Sequence, residues 1–307
     1  MSKILVTGGA GFIGSTLVDK LINEGHEVVV IDDLSSGKKD YVNPKAKLYE
    51  VDICSAKIAK IFQKEKFEYV YHLAAQIDVR KSVADPEYDN KINVLGGLNI
   101  ISNAHLSGVK KIIFASTGGA IYGEAEEIPT TENSPTYPVS PYGIHKLTLE
   151  KYLNYYYQLY GLDYTVLRFA NVYGPRQFKG GEAGVIAIFI DNAVKGLESL
   201  QFGDGKQTRD FVYVDDVVNG LFLALNIDCC GEINIGSGIE TNLLEICSSI
   251  EQAMDGPIKV TEMPGKPGEQ RRSCLSFERA REVLNWEPNI KIKEGIKRTI
   301  TWAQSLK

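Results

Sequence analysis

Several things are missing from this chain of 307 residues, and each absence closes off a class of protein. The five cysteines, Cys54, Cys229, Cys230, Cys247 and Cys274, are odd in number and show no CxxC pair and no histidine-linked spacing. Neither a disulfide framework nor a metal site is expected from them; reduced thiols in a cytoplasmic setting are. There is no block of basic residues and no interleaving of aromatic with basic ones, and the net charge is −5, which argues against a nucleic-acid partner. No apolar run reaches the length of a membrane span, and a strand pattern begins at the third residue, so neither a membrane partner nor a signal peptide is expected. Internal repeats and low-complexity tracts are also lacking. What remains is enough chain for one large α/β unit or two closely joined domains, with 44% hydrophobic residues to fill a core.

The stretch that organises the rest is residues 6–14, Val-Thr-Gly-Gly-Ala-Gly-Phe-Ile-Gly. An apolar strand pattern (Lys3 to Thr7) leads into it and an amphipathic helix pattern, from Phe12 to about Glu24, leads out, so Gly8, Gly11 and Gly14 fall on a strand-to-helix turn. Such a turn binds a pyrophosphate: Gly8 lets the chain reverse, Gly11 lets backbone N–H groups approach the phosphates, and Gly14 lets the helix pack on the strand. Further β-branched runs at 27–32, 47–53, 69–75, 111–117 and 164–170 alternate with helical patterns, predicting a Rossmann-type doubly wound parallel sheet with its ligand across the carboxyl ends of the strands. After about Asn171 the rhythm breaks into Gly/Pro-rich segments. The expected organisation is a dinucleotide-binding domain over 1–170 and a smaller, interleaved C-terminal α/β substrate domain over 171–307, with later segments such as 208–236 returning to the first.

The second strand ends in Asp32-Asp33. A carboxylate there accepts hydrogen bonds from both adenosine ribose hydroxyls and repels a 2′-phosphate, which favours NAD over NADP; one of the pair is free to serve as a turn residue. Asp52-Ile53 closes the third strand near the expected adenine. Leu73-Ala74-Ala75-Gln76 follows the fourth, with small residues leaving room for the dinucleotide backbone, and His72 reads as a packed strand residue. The fifth strand brings the hydroxyls of Ser116 and Thr117 to the sheet edge beside the expected nicotinamide. Tyr142 and Lys146, spaced i, i+4, project from one face of a helix running to about Tyr160. An ammonium near a phenol pulls its pKa down from about 10 towards neutrality, which suits a general base.

With these residues in place the chain resembles the extended short-chain dehydrogenase/reductases and, among them, the 4-epimerases of UDP-glucose and UDP-galactose. The matching stretches are residues 7–14, 32–37, 72–76, 116–123, 142–146, 167–176 and 209–216. The resemblance implies that Tyr142 is the catalytic base, that Lys146 lowers its pKa and binds the nicotinamide ribose, and that Thr117 hydrogen-bonds the sugar 4-hydroxyl, with Ser116 as the alternative one residue back. It adds Phe12, Ile13 and a helix asparagine, Asn93, to the cofactor residues. For the UDP-sugar it implies Asn171, Val185, Arg209, Lys266, Glu269 and Ser273. The family commonly has arginine where Lys266 stands, and Ser273 falls at a site held in the family by tyrosine or a small residue; a small one leaves volume for N-acetylhexosamines. Tyrosines 152, 155, 156, 157 and 160, at helical spacing, would pack with the helix of residues 88–105 as a homodimer interface.

The activity so implied is NAD-dependent epimerisation at carbon 4 of a UDP-hexose: Tyr142 takes the 4-hydroxyl proton, a hydride leaves carbon 4, the 4-keto sugar turns over and the hydride returns to its other face. A 4,6-dehydratase or a UDP-glucuronate decarboxylase on the same scaffold needs further acid–base groups after the threonine, where Gly118-Gly119 stands. A regulator that only senses NAD needs no Thr117, Tyr142 and Lys146 together.

Overall fold

Strands β1 (Lys3–Thr7), β2 (Glu27–Asp32), β3 (Lys47–Glu50), β4 (Tyr69–His72), β5 (Lys111–Thr117) and β6 (Asp163–Phe169) follow one another in the first half of the chain. β7 (Asn171–Tyr173), β8 (Ser199–Phe202), β9 (Thr208–Tyr213), β10 (Glu232–Ile235), β11 (Glu240–Asn242) and β12 (Val260–Met263) follow in the second. The structure is a computed structural model that describes residues 1–177, 184–228, 231–265 and 270–306. The main sheet has seven strands in the order β10-β6-β5-β4-β1-β2-β3. All its pairings are parallel, and β1 and β4 mark the point where the order reverses. β10 thus comes from the late part of the chain to lie against β6. A three-stranded sheet, β11-β9-β7, and a two-stranded one, β12-β8, are built from the second half.

Because successive strand side chains face opposite ways, buried strand residues split into two core layers. Ile4, Val6, Val28 and Val30 pack on one face with the helices of the second half, including Val217 and Leu221. Leu5, Val29, Ile31, Val70 and Ile112 pack on the other with Ile58, Ile100 and Leu149. Sequence explains the helix ends. The Pro141–Tyr160 helix starts where the Ser140 side chain accepts from the Gly143 amide (3.2 Å), has proline in its first turn, and stops at Gly161, whose φ of +69° only glycine adopts freely.

Two strands end earlier than their apolar runs suggest. β3 stops at Glu50 rather than residue 53 because Asp52 folds a turn, its Oδ1 accepting from the Cys54 amide (2.7 Å). β4 stops at His72: the Leu73 amide is shared between the Thr7 carbonyl and the Thr7 hydroxyl oxygen (both 3.2 Å), and the Ala74 amide donates to that hydroxyl oxygen (3.2 Å). Both shortenings hand residues from the ladder to the ligand cleft.

Candidate active site

The glycine-rich turn leaves β1 at Gly8, where φ is +72° and a Cβ would stand 2.7 Å from the Ala74 nitrogen. The Gly11 amide donates to the Gly8 carbonyl (3.1 Å) and closes the turn. A Cβ on Gly14 would lie 2.1 Å from that same carbonyl oxygen, so only glycine lets the Phe12–Asn23 helix sit on the turn. The amides of Phe12, Ile13 and Gly14, in the first turn of that helix, have no acceptor within it and lie at its positive end.

These residues floor a cleft of about 260 Å³ that Asp32, Asp33, Asp52 and Ile53 line on one side and Leu73, Ala74 and Ala75 on another. Asp32 is buried and accepts from the Ala10 and Leu34 amides (both 2.9 Å), so it holds the glycine turn as well as facing the cleft. Burial pushes its carboxyl above the usual range, and those two amides oppose the push. Asp33 is the turn residue of the pair: its Oδ1 accepts from the Ser35 amide (3.0 Å) and hydroxyl (2.6 Å). Ser35 and Ser36, in the stretch 32–37 that carries the family resemblance, also line the cleft, as does Tyr41, which carries no such signal. A dinucleotide fits this cradle. Besides the free helix amides, Arg176 lines the cleft and its buried Nη1 has no hydrogen-bond partner.

Tyr142 lies where this cleft opens into a second cavity of about 920 Å³ and lines both, as does Ser116. Lys146, one helical turn on, is 4% exposed, with its Nζ 4.5 Å from the centre of the Phe114 ring and 6.0 Å from that of Tyr142. Burial lowers its pKa to about 8, against the pull of the Glu150 and Asp89 carboxylates. A third residue on the same helical face, Glu150, escaped sequence reading. It accepts from the Ser116 hydroxyl (2.6 Å) and takes two bonds from Arg168 (3.1 and 2.6 Å), and all three side chains are buried. Arg168 also donates to the Tyr122 hydroxyl (2.9 Å), which donates to Asn234 of β10 (2.8 Å). The i, i+4, i+8 spacing of Tyr142, Lys146 and Glu150 was the available signal, and the arginine in the apolar strand run 163–169 was its complement. Ser116 donates its hydroxyl proton to Glu150, and Thr117 joins it on the second cavity's wall.

Asn171, Val185 and Arg209 line the second cavity too. Arg209 is aimed by its own strand: the neighbouring Asp210 is buried and accepts from Ser237 and Leu275 amides (2.7 and 3.1 Å), and Arg209 Nη1 donates to the Thr208 carbonyl (2.8 Å). Other expected residues stand back. Asn93 clasps the backbone of Gln76 through two bonds (3.0 and 2.9 Å), and the Gln76 side chain is held by Asp89 (2.6 Å); both line neither cavity, and act on the loop that does. Asp89, fully buried, also meets His145 Nδ1 (2.5 Å), tying the Pro141–Tyr160 helix to the same loop. Ser273 is half-buried and is not among the residues lining either cavity. Lys266 and Glu269 lie outside the described residues. Among the described residues no group of three or more His, Cys, Asp or Glu could hold a metal ion, and no helix is long and apolar enough to cross a membrane.

A doubly wound sheet with a glycine turn at its switch point and a hydroxyl, tyrosine and lysine at the cleft mouth defines a dinucleotide-dependent enzyme of the short-chain dehydrogenase/reductase kind. The model of the NAD dependent epimerase/dehydratase family matches residues 4–236, and the chain belongs to that family. It is 46% identical over 303 residues, 98% of each chain, to a putative UDP-glucose 4-epimerase of Methanocaldococcus jannaschii. Among solved structures it is similar to UDP-glucose 4-epimerase of Thermotoga maritima with UDP-glucose (TM-score 0.97, 45% identity, 99% of both chains). It is similar also to that of Thermus thermophilus in complex with NAD (TM-score 0.94, 40% identity, 98% of this chain and 99% of the other).

Proposed function

We propose that the protein interconverts UDP-hexoses by NAD-dependent inversion at carbon 4, UDP-glucose and UDP-galactose foremost. The observation that carries this reading is the position of Tyr142 at the junction of the two cavities, with Lys146 buried behind it on the cofactor side and Thr117 on the substrate side. Bound NAD supplies the acceptor and then the donor of the hydride at carbon 4. Asp32, the helix amides of residues 12–14 and Arg176 hold the cofactor. Tyr142 takes the 4-hydroxyl proton and later returns it, and the Lys146 ammonium stabilises the phenolate in between. Thr117 orients the 4-hydroxyl. Asn171 and Arg209 keep the diphosphate anchored while the hexose turns, so the sugar presents its other face without leaving.

On this reading residues 1–170 carry most of the cofactor contacts and 171–307 most of those to the nucleotide sugar, with Arg176 reaching back to the first cleft, Thr117 reaching forward to the second, and β10 lent back to the main sheet. Elimination of a carbon-6 hydroxyl would need an acid–base pair after Thr117. A Cβ at Gly118 would stand 2.4 Å from Leu275, and Gly119 offers only a hydrogen towards Asn171 and Thr117. That supports epimerisation over the dehydratase. N-acetylhexosamine forms belong to the proposal; an unchanged preference for them in Ser273→Tyr would remove that part. So does a cytoplasmic homodimer: Tyr155, Tyr160 and Leu106 form an exposed apolar stripe on two paired helices, where His105 stacks on Tyr160 (4.3 Å). A monomer mass by light scattering at micromolar concentration would strike out the dimer. The deciding experiment is incubation with UDP-glucose, UDP-galactose and their N-acetyl counterparts without added cofactor. Interconversion at carbon 4 is expected, and a stable 4-keto product or a UDP-pentose would replace the reading by the dehydratase or the decarboxylase.

A further inference from the structure

Lys146 is buried without a direct counter-ion. Its ammonium makes no hydrogen bond or ion pair with any described residue and rests on the Phe114 ring. The ionisable groups that face it are Tyr142 and Glu150 on its own helix, Asp89 in the short helix Pro86–Asn90, and His72 of β4. The two carboxylates are not equally free to serve it. Glu150 is bound twice by the Arg168 guanidinium, a permanent cation that offsets its charge. Asp89, fully buried, accepts from the Gln76 and Asn93 carboxamides on Oδ1 (2.6 and 3.1 Å), and its Oδ2 meets His145 Nδ1 (2.5 Å). None of these partners is a permanent cation. Asp89 is also a joint. Gln76 lies in the loop after β4, between Ala75 and Ile77, which both line the first cleft. His145 stands between Tyr142 and Lys146 on the Pro141–Tyr160 helix. A second bond runs the same way: the hydroxyl of Ser82, fully buried in the helix Val79–Ala84, accepts from the Tyr142 amide (3.2 Å), a first-turn donor that the helix itself leaves without an acceptor.

We propose that Asp89 is a positioning residue of the reaction: through His145 it seats Tyr142 and Lys146 against the loop that lines the cofactor cleft, and its carboxylate is the counter-charge for the Lys146 ammonium. This rests on the 4-epimerase reading, in which that ammonium stabilises the Tyr142 phenolate. Burial lowers the lysine to about 8, and Glu150 and Asp89 pull it back up. Glu150 pulls the more strongly, but Arg168 is bonded to it as an opposing charge. Removing the Asp89 charge therefore lets the ammonium lose its proton at a lower pH. Turnover needs that proton, so it fades at a lower pH on its alkaline side.

The test measures kcat and KM for UDP-glucose against pH in wild type, Asp89→Asn, His145→Ala and His145→Gln. It also follows the Lys146 Cε resonance by carbon NMR over the same range, assigned by its loss in Lys146→Arg. Asp89→Asn keeps the shape of the side chain and should move the alkaline limb of kcat and the lysine titration down together by about one pH unit, with KM changed by less than about twofold. His145→Ala should lower kcat by about tenfold, and His145→Gln, which can still donate to Asp89, should restore most of it. A pH profile and a lysine titration that stay in place in Asp89→Asn overturn the proposal, and so does an unchanged kcat in His145→Ala. Should Asp89→Asn fail to fold, the two variants at the half-buried His145 decide alone, since recovery by glutamine and not by alanine is what a packing role would not give. If wild type leaves UDP-glucose unchanged, the 4-epimerase reading fails on its own, and the lysine titration still decides whether Asp89 is the counter-charge.

Discussion

The first cleft and the second cavity share Phe12, Ile13, Ile77, Ser116, Tyr142, Phe169 and Gln177, yet they are built in opposite ways. Main chain shapes the cleft: a glycine turn, the small residues after β4, and an acid whose two oxygens are bonded to backbone amides. Side chains shape the cavity, and they come from stretches as far apart as Arg80, Asn171, Arg209 and Ile246. A wall of backbone accepts no added atom. A wall of side chains can be retuned one residue at a time, so on the proposed function the chemistry at the shared Tyr142 stays fixed while the choice of sugar is open to change.

Four measurements would sharpen or break that contrast. Tyr142→Phe removes the group common to both sides and should cut turnover by about 10²–10⁴-fold while NAD stays bound, as read from steady-state rates and the cofactor released on denaturation. Equal loss of the cofactor would mean that the tyrosine is part of the cleft wall rather than its chemistry. Glu150→Ala takes both short carboxylate bonds from the buried Arg168, leaving it the Tyr122 hydroxyl and the Glu232 carboxylate 3.7 Å away, and should cost about 3 kcal/mol in urea unfolding. By contrast, Lys20→Ala, which breaks only an exposed pair with Glu24, should cost less than about 1 kcal/mol. Gly14→Ala drives a methyl into the Gly8 carbonyl and should cost about 1–3 kcal/mol together with cofactor retention. Gly256→Ala, with nothing within 4 Å of the new atom, is its control. The smallest effect is on pH. Burial holds His72 neutral, lowering its pKa from 6.5 to about 3. Below 6.5 the unfolded chain takes up a proton that the folded one refuses, so stability falls as pH drops. Between about pH 7 and about pH 5.5 the unfolding free energy should decline by about 1 kcal/mol more in wild type than in His72→Gln.

Legibility in the sequence follows the same divide. β1 and the turn after it could be read to the residue, because the glycine spacing is a backbone requirement and backbone requirements are local. Lys146 beside Tyr142 was equally plain from helical spacing. The ends of β3 and β4 were not, since they are set by Asp52 and by the Thr7 hydroxyl competing for amides that an apolar run alone would assign to the ladder. Asn93 and Gln76 were expected against the cofactor; they line neither cavity and bond to each other and to Asp89, one helical turn before Asn93, an i, i+4 pairing whose meaning depends on where the loop at Gln76 lies. Glu150 was missed for a related reason. A glutamate at the eighth position after a tyrosine reads as surface helix until Arg168 is known to lie opposite it.

The late strand β10 has a consequence for how the chain is made. Until about residue 235 has left the ribosome, β6 presents an open parallel edge of seven residues, and the Arg168 guanidinium, already paired with Glu150, waits for the Tyr122–Asn234 end of its network. A nascent chain that has completed every residue of the cofactor cleft still carries a sticky margin. β10 is therefore a built-in escort for a strand made some sixty residues earlier, and the interval before it emerges is when the β6 edge is open to aggregation.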